Sequence, residues 1–289
     1  MRVGVVFPQT EIGADPSAIR DYTLAAEAAG YNHILAYDHV LGADPDRPGG
    51  FRGPYTSETM FHEPFVLFGY MAAITRSVEL VTGVIILPQR QTALVAKQTA
   101  QIDVLSEGRF RLGIGVGWNP VEYEALGENF HDRGRRVEEQ VEVLRALWGE
   151  PSISYDGQYT KIVKAGINPL PPGRSIPVWM GGMSDSVLDR IGRIADGWFP
   201  QYRDPEQLAE GLARIHVAAD RADRDRGEIG VEARVSTGKG NPAGAVALAG
   251  RWQEVGATHL SVNTMGQELP TPADHIRAIE RFASEYGLS

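Results

Sequence analysis

The sequence predicts an α/β fold, a single (β/α)8 TIM barrel that spans residues 1–289. Three observations predict it: short apolar strand patterns alternate with helical patterns, eight such pairs follow one another, and no linker divides them. Strict alternation implies a parallel sheet with the helices outside it, and eight units of this length fit a closed barrel. The structural alternative is a doubly wound open sheet, but the first strand ends in VFPQTEIG, which lacks its glycine fingerprint.

The elements alternate from the start of the chain to its end. Aliphatic and β-branched runs define the strands, and longer stretches with apolar residues on one face define the helices. The predicted strands are Val3–Phe7, His33–Tyr37, Leu80–Leu87, Phe110–Ile114, Val178–Gly181, Gly197–Phe199, Val231–Ser236 and Thr258–Val262. The predicted helices are Ser17–Gly30, which ends on a glycine, Pro64–Thr75, Thr92–Ser106, Arg133–Trp148, Asp185–Ala195, Pro205–Arg221, Pro242–Val255 and Pro272–Tyr286.

Two segments interrupt the alternation and predict insertions. Residues 40–63 follow strand two and are rich in glycine, proline and aromatic residues, whereas residues 150–175, between strands four and five, predict a hairpin and a proline-rich loop. Long loops of compact domains are often binding elements, and the first follows the carboxyl end of a barrel strand, where such enzymes keep their chemistry. Phe51, Tyr55, Met60 and Phe61 predict an apolar or aromatic substrate pocket, unless they form the insertion's own core.

Composition and charge narrow the function classes. The chain is 43% hydrophobic and 22% charged, has no apolar run that could span a bilayer, and begins its first strand signal at Arg2 and Val3. We therefore expect a cytoplasmic protein with no membrane partner. The formal net charge of -9 argues against nucleic acid as a partner. The lack of cysteine excludes disulfides and thiolate metal sites, and no histidine pattern predicts a metal.

One predicted strand contains a residue that fits poorly there. The run ELVTGVIILP, residues 79–88, is typical of a buried strand, but Gly83 in its middle offers no side chain to pack. Such a glycine marks a bulge or a place where another group approaches the backbone closely.

Asp38 and His39 end strand two in ILAYDHV, and a barrel places this end at its catalytic mouth. A histidine there can act as a general acid or base, because imidazole titrates near neutrality. Neighbouring residues on a strand point to opposite faces, so both serve one site only if the strand ends there. The alternative is a structural histidine bonded to a loop carbonyl.

A first glycine-rich turn follows strand four. LGIGVGWNP, residues 112–120, alternates glycines up to Gly117, and Asn119 can cap a helix that begins at Pro120. Alternating glycines let a flat or phosphorylated ligand lie on the backbone, although tight barrel packing explains them about as well. Trp118 is either an aromatic wall or core filling.

A second glycine-rich turn follows strand five, in IPVWMGGMSDS, residues 176–186. Gly181 and Gly182 end the strand, and Ser184 or Asp185 can cap the next helix. This arrangement could hold a phosphate, or it could be a tight turn between strand and helix.

Several segments together resemble the luciferase-like superfamily of flavin and deazaflavin barrels. They are AAEAAGYNHILAYDHV, LVTGVIILPQRQTALVAKQTAQIDVLSEGRFRLGIGVGWNPVEYEALG, RGRRVEE and ADGWFP, and their order and spacing are most similar to actinobacterial-type oxidoreductases assigned to coenzyme F420. The resemblance covers the chain from strand one to the helix after ADGWFP. It implies a barrel of the bacterial-luciferase type and an enzyme that transfers a hydride.

The resemblance also implies site residues. His39 would be the catalytic proton donor or acceptor, and a non-prolyl cis peptide at Gly83–Val84 would back the ring of the cofactor. The cofactor-binding residues implied are Asp38, Gly83, Val84, Gly117, Trp118, Asn119, Gly181, Gly182, Met183 and Ser184. The sugar-phosphate dehydrogenase branch has a glutamate acid where this chain has Trp118, so glucose-6-phosphate is not the expected substrate.

The expected function is hydride transfer between coenzyme F420 and a small apolar or aromatic substrate, in a homodimer such as the superfamily commonly forms. Arg133, Arg135 and Arg136 are expected to attract the carboxylates of the F420 tail, which FMN lacks. Three alternatives remain: an FMN-dependent monooxygenase served by a separate reductase, a flavin- or deazaflavin-binding protein without catalysis, and an aldolase barrel that uses Lys239.

Overall fold

The computed structural model describes residues 1–238, 240 and 242–288, and these form a closed barrel of eight parallel strands surrounded by helices. The predicted fold class is confirmed. Lys239, the aldolase candidate, lies outside the described residues. Within them, no helix is long and apolar enough to cross a membrane, and no group of three or more His, Asp or Glu side chains could hold a metal ion.

The strands of the described residues are β1 (Arg2–Val6), β2 (His33–Ala36), β3 (Glu79–Thr82), β4 (Ile85–Ile86), β5 (Phe110–Gly115), β6 (Ile153–Asp156), β7 (Lys161–Ala165), β8 (Val178–Gly181), β9 (Gly197–Phe199), β10 (Gly230–Ser236) and β11 (His259–Asn263). β3 and β4 together form the third barrel strand, and the barrel closes where they pair with β5. β6 and β7 form an antiparallel hairpin in the second insertion, as predicted.

The helices are α1 (Pro16–Ala28), α2 (Pro64–Ile74), α3 (Thr92–Leu105), α4 (Pro120–Ala125), α5 (Arg133–Gly149), α6 (Asp185–Ile194), α7 (Leu208–Arg221), α8 (Pro242–Glu254) and α9 (Pro272–Tyr286). Several begin at a proline, which costs no hydrogen bond at the first helical position. The sequence predicted bounds for all of them except α4, for which it gave only the start, a helix that Asn119 can cap and that begins at Pro120. Asn119 is that cap, since its side chain accepts a hydrogen bond from the amide of Val121.

The third barrel strand is broken, so the prediction of one continuous strand over Leu80–Leu87 is wrong. The break falls between β3 and β4, and Leu87–Gln89 form a short 3-10 helix instead of extending the strand. The Gly83–Val84 peptide bond within the break is cis, as the family resemblance implied.

Strand register shows that the break is a β-bulge. Val81 of β3 pairs with Arg111 of β5, and Ile85 of β4 pairs with Ile114. The two residues of the third strand are four positions apart, whereas their partners are three apart. The third strand therefore contains one extra residue here, as a β-bulge requires.

Leu35 explains why a glycine stands inside the bulge. A Cβ atom at Gly83 would lie 2.2 Å from Cδ2 of Leu35 and 2.5 Å from its Cγ. Leu35 is buried on β2 and packs in an apolar cluster with Val6 and Val81. The third strand can pass Leu35 this closely only where it has no side chain.

Charged side chains fill the base of the barrel. Arg111 Nη1 donates to Glu232 Oε2 at 2.7 Å, and His33 Nε2 lies 2.9 Å from Glu232 Oε1. Ser261 Oγ donates to the same Oε1. Burial alone would raise the pKa of Glu232, but the positive charges of His33 and Arg111 bring it well below its ordinary value. Gly4 makes room, because a Cβ there would lie 2.2 Å from the His33 ring.

We expect Glu232→Gln to lower the free energy of unfolding by about 3–5 kcal/mol at pH 7, because it leaves Arg111 buried without its closest carboxylate. The pKa of Glu232 is depressed in the folded protein, so its contribution is present above the ordinary value of 4.5 and is lost as pH falls below it. Urea unfolding at pH 7 and pH 3 should therefore show a smaller gap between wild type and variant at pH 3.

The control is Asp156→Asn, which removes an exposed ion pair with Lys161. It should change the free energy of unfolding by less than about 1 kcal/mol. A Glu232→Gln effect as small as that of the control would contradict the role of the buried charge, and so would an effect that does not change with pH.

Candidate active site

A cavity of about 780 Å³ opens where the carboxyl ends of the barrel strands meet. This volume is within the range of small-molecule and cofactor sites. The structure brings eleven of the predicted residues into its wall: Asp38, His39, Tyr55, Gly83, Val84, Gly117, Trp118, Gly181, Gly182, Met183 and Ser184. These residues come from five separate parts of the chain and meet because parallel strands bring their carboxyl ends together.

Four predicted residues do not line the cavity. Asn119 is 2% exposed and is used as the cap of α4, so the structure gives it no face toward a ligand. Met60 is exposed on the surface of the first insertion. Phe51 and Phe61 lie behind the wall, where they support residues that do line the cavity.

His39 is held by a carboxylate that the sequence analysis missed. Its Nδ1 lies 3.1 Å from Oε1 of Glu122, and the amide of Val40 donates to the same oxygen at 3.1 Å. Glu122 is the third residue of α4 and its side chain is 2% exposed. A carboxylate can only accept, so we infer that Nδ1 of His39 carries the hydrogen of this bond; in a neutral imidazole Nε2 then has the lone pair.

Aromatic rings surround the His39 imidazole. The ring of Phe61 lies 4.8 Å away, that of Tyr55 4.9 Å and that of Trp118 6.0 Å, measured between centroids. Phe51 stacks on Trp118 at 6.2 Å. The first insertion therefore folds over His39, and its aromatic residues serve both as the insertion's core and as the surroundings of the imidazole.

Asp38 has a different environment from its neighbour. Both of its carboxylate oxygens accept from Nη2 of Arg90, at 3.0 and 2.9 Å. Burial raises the pKa of Asp38, and the ion pair with Arg90 opposes this rise. The carboxylate is thus engaged by the protein, so Asp38 reaches the cavity as part of a buried ion pair that anchors the chain beside His39.

The glycines after strand four make room for the protein itself. A Cβ at Gly115 would lie 2.7 Å from Val84 Cγ2, and one at Gly117 would lie 2.8 Å from Ile86 Cγ2. Gly117 also has a positive φ of 67°, which favours glycine. Tight packing against the broken third strand therefore accounts for the glycines that alternate in LGIGVGWNP.

The turn before α6 has the donors that an anion needs. Ser184 is the N-cap of α6, and its side chain makes no capping bond. The amide of Val187 donates to the carbonyl of Ser184, whereas the amides of Asp185 and Ser186, at the first two helical positions, have no acceptor within the helix and lie at the cavity end of α6. Asp185 is countered by an ion pair with Arg214, and Arg203 lines the cavity on the adjoining loop after β9.

The three arginines expected to attract a cofactor tail do not line the cavity. Arg136 is paired with Glu128, and Arg133 stacks on the ring of Phe130 at 3.8 Å. Arg135 is exposed on α5 away from the wall. Among the described residues, Arg203 and Arg234 are the cations that do line it, and the sequence analysis singled out neither of them.

Comparisons with known proteins bear on this site. A family model described as luciferase-like monooxygenase matches residues 1–275. An uncharacterized protein of Mycobacterium tuberculosis is 31% identical over 283 residues, which cover 92% of this chain and 95% of that protein. The FMNH2-dependent dimethylsulfone monooxygenase of Pseudomonas fluorescens is 30% identical, and the match covers 78% of this chain and 58% of that protein. The F420-dependent glucose-6-phosphate dehydrogenase of Segniliparus rotundus is 29% identical, and the match covers 74% of this chain and 62% of that protein.

Solved structures share the fold. An F420-dependent secondary alcohol dehydrogenase in complex with an F420-acetone adduct superposes with a TM-score of 0.79 at 16% identity, over 99% of this chain and 98% of that one. A type II Baeyer–Villiger monooxygenase from Pseudomonas putida in complex with FMN superposes with a TM-score of 0.77 at 15% identity, over 99% of this chain and 97% of that one. At such identities the likeness shows the fold alone.

We expect nitrogen-15 NMR of the wild-type protein to find neutral His39 with its hydrogen on Nδ1, because Glu122 accepts a hydrogen bond there. Glu122→Ala should shift the hydrogen toward Nε2, since the acceptor is gone. His131, an exposed histidine, is the internal reference and should be the same in both proteins. If wild-type His39 carries its hydrogen on Nε2, the orientation described here is wrong.

Proposed function

The chain belongs to the luciferase-like monooxygenase family, and from that premise we propose that it transfers a hydride between coenzyme F420 and a small organic substrate. The observation that carries the proposal is the hydrogen bond between His39 and buried Glu122 at the cavity wall. When a hydride leaves or reaches a carbon that bears oxygen, a proton has to move at that oxygen. His39 is the residue that we assign to this proton.

Glu122 determines which nitrogen of His39 acts. Its carboxylate accepts from Nδ1, so Nε2 is the atom that takes the proton from a substrate hydroxyl. In the reverse direction Nε2 returns the proton to a carbonyl oxygen. The imidazolium present between these events is stabilised by the carboxylate 3.1 Å away.

The cavity wall fits a tricyclic cofactor. When bound, a deazaflavin supplies a carbon centre that accepts or releases a hydride. Leu35, Val84 and Phe199 give the cavity an apolar wall that keeps water from the reacting atoms. The turn at Ser184 offers helix amides and a hydroxyl to a phosphate, and Arg203 adds a positive charge.

FMN-dependent monooxygenation is the second candidate, and the 30% identity to a monooxygenase that uses FMNH2 favours it. Both cofactors have a tricyclic ring, a ribityl chain and a phosphate, so the turn at Ser184 suits either. We rank F420 first because a histidine paired with a carboxylate is what reversible transfer of a hydride and a proton needs. A monooxygenase would in addition need a separate reductase as partner.

We expect the cofactor-free protein to bind F420 more tightly than FMN, because F420 has additional carboxylates beyond the phosphate, on the side where Arg203 supplies an exposed positive charge. The difference should weaken as salt is added, since each exposed ion pair contributes only about 0–1 kcal/mol. Titration with each cofactor at low and high salt measures it. Tighter binding of FMN, together with substrate-dependent oxygen uptake in the presence of reduced FMN, would instead establish the monooxygenase.

We expect His39→Ala to lower turnover by about a hundredfold to ten-thousandfold while the affinity for F420 stays nearly the same, because a positioned acid or base contributes about that much. Single-turnover oxidation of reduced F420 and a cofactor titration separate the two effects. His131→Ala, at an exposed position, is the control. Loss of affinity with an unchanged rate would make His39 a positioning residue, and bound cofactor without turnover in any protein would favour the non-catalytic alternative.

A further inference from the structure

Two arginines on the cavity wall have no counter-ion in the part of the chain that the structure describes. The three carboxylates of the wall are each engaged: Asp38 with Arg90, Glu122 with His39 and Glu232 with Arg111. Among the described residues, no carboxylate lies within ion-pair distance of the other two charged side chains of the wall, Arg203 and Arg234. The cavity therefore has unneutralised positive charge inside a protein whose formal net charge is -9.

Arg234 is tied to the chain segment that carries His39. It stands on β10, and its Nη1 donates to the hydroxyl of Tyr37 at 2.6 Å. Tyr37 directly follows β2 and comes two residues before His39. Arg203 lies on the loop after β9, which pairs with both β8 and β10, and no hydrogen bond among the described residues ties it to the segment of His39. Of the two cations, Arg234 is therefore the one that the structure links to the side chain that we assign to the proton.

Most donors of the Arg234 guanidinium are still available. Tyr37 uses one of its five N–H groups, and the group can bind a carboxylate through two of the others. The neighbouring Ala233 and Val235 are buried, whereas the Arg234 side chain is exposed, and this exposure is toward the cavity that it lines.

Tyr37 does not neutralise the arginine. Burial raises the pKa of its phenol above the ordinary value of 10.0, although Arg234 opposes the rise. Near pH 7 the hydroxyl is therefore uncharged, and the guanidinium retains its full positive charge for a ligand.

We propose that Arg234 binds a carboxylate of the substrate while His39 exchanges a proton with a hydroxyl or carbonyl oxygen of the same molecule. The substrate class is then a small hydroxy or oxo carboxylate with an apolar or aromatic body. This inference rests on the proposed function, whose site it deepens. In the oxidation, the C–H bond breaks and its hydride passes to F420, the hydroxyl proton passes to Nε2 of His39, and the C–O bond becomes a carbonyl. The carboxylate on Arg234 is unchanged.

The test uses binding, so that it does not depend on turnover. Benzoate and benzamide have nearly the same shape and differ in charge, and their affinities for the cofactor-free protein are measured by calorimetry. We expect benzoate to bind at least about tenfold more tightly than benzamide, because a charged hydrogen bond is strong in a partly enclosed site. Arg234→Gln should abolish this preference, and Arg234→Lys should retain part of it.

A control locates the effect. Arg135→Gln removes the same charge from an exposed position outside the cavity, and it should leave the preference for benzoate unchanged. Equal affinity of the wild type for both probes would overturn the proposal, and so would a preference that survives Arg234→Gln.

A second arm separates this inference from the function on which it rests. Benzoate is titrated into the protein in the presence of saturating F420. If both bind together, Arg234 faces the substrate, as proposed. If F420 displaces benzoate, Arg234 belongs to the cofactor site and the inference fails while the proposed function stands. If F420 does not bind at all, the proposed function fails, and the preference for benzoate then decides only whether the site selects organic anions.

Discussion

The close contact between Leu35 and Gly83 determines the shape of the cavity wall, and much of the site depends on it. Because position 83 has no side chain, the third barrel strand can bulge past β2. Val84 then lies against β5 and β8, where the missing Cβ atoms of Gly115 and Gly181 leave it room, at 2.7 and 3.3 Å. Glycines on three strands are therefore parts of one packing arrangement. Their common effect is an apolar wall built from Val84 and Leu35, at the height in the barrel where His39 emerges from β2.

Below this wall the barrel is held by charges that are matched to one another. Arg111 lies between Glu232 and Glu79, and its guanidinium also packs over the ring of Trp179 at 4.2 Å. Burial, followed by the nearby charge of Arg111, lowers the pKa of His259 to about 3, so this histidine adds no further positive charge at neutral pH. The charges of this layer are thus paired with one another, whereas the mouth above it keeps positive charge that no side chain of the described residues cancels. Glu232 belongs to both levels, because it pairs with Arg111 and also lines the cavity.

Local patterns were enough to predict the barrel, nearly all its helices and a cavity wall that includes the residues after β2. Gly83 also revealed the unusual strand, because a glycine inside an aliphatic run is visible in the sequence alone. Glu122 could not be found this way, since it meets His39 from 83 positions further along the chain. The ion pair between Arg90 and Asp38 could not be found from the sequence either. Asp38 was expected to bind the cofactor, but in the structure its carboxylate binds Arg90. The glycines of LGIGVGWNP show most clearly what the sequence alone cannot decide. Their spacing fits both a binding turn for a ligand and close packing against a neighbouring strand. The positions of Val84 and Ile86 in the structure favour the packing.

The aromatic rings of the first insertion surround His39. The isolated β-bridge between Ala43 and Thr56 connects two residues that both belong to the insertion. None of the register pairs that close the barrel involves this segment. Its length and side chains can therefore diverge between descendants of one ancestor without disturbing the folding of the barrel. The pair to which we assign the proton evolves under the opposite condition, because Glu122 lies on α4 and His39 follows shortly after β2, and the barrel positions both elements. The aromatic surroundings of His39 are thus what drift and selection can change first, while the pair itself is inherited.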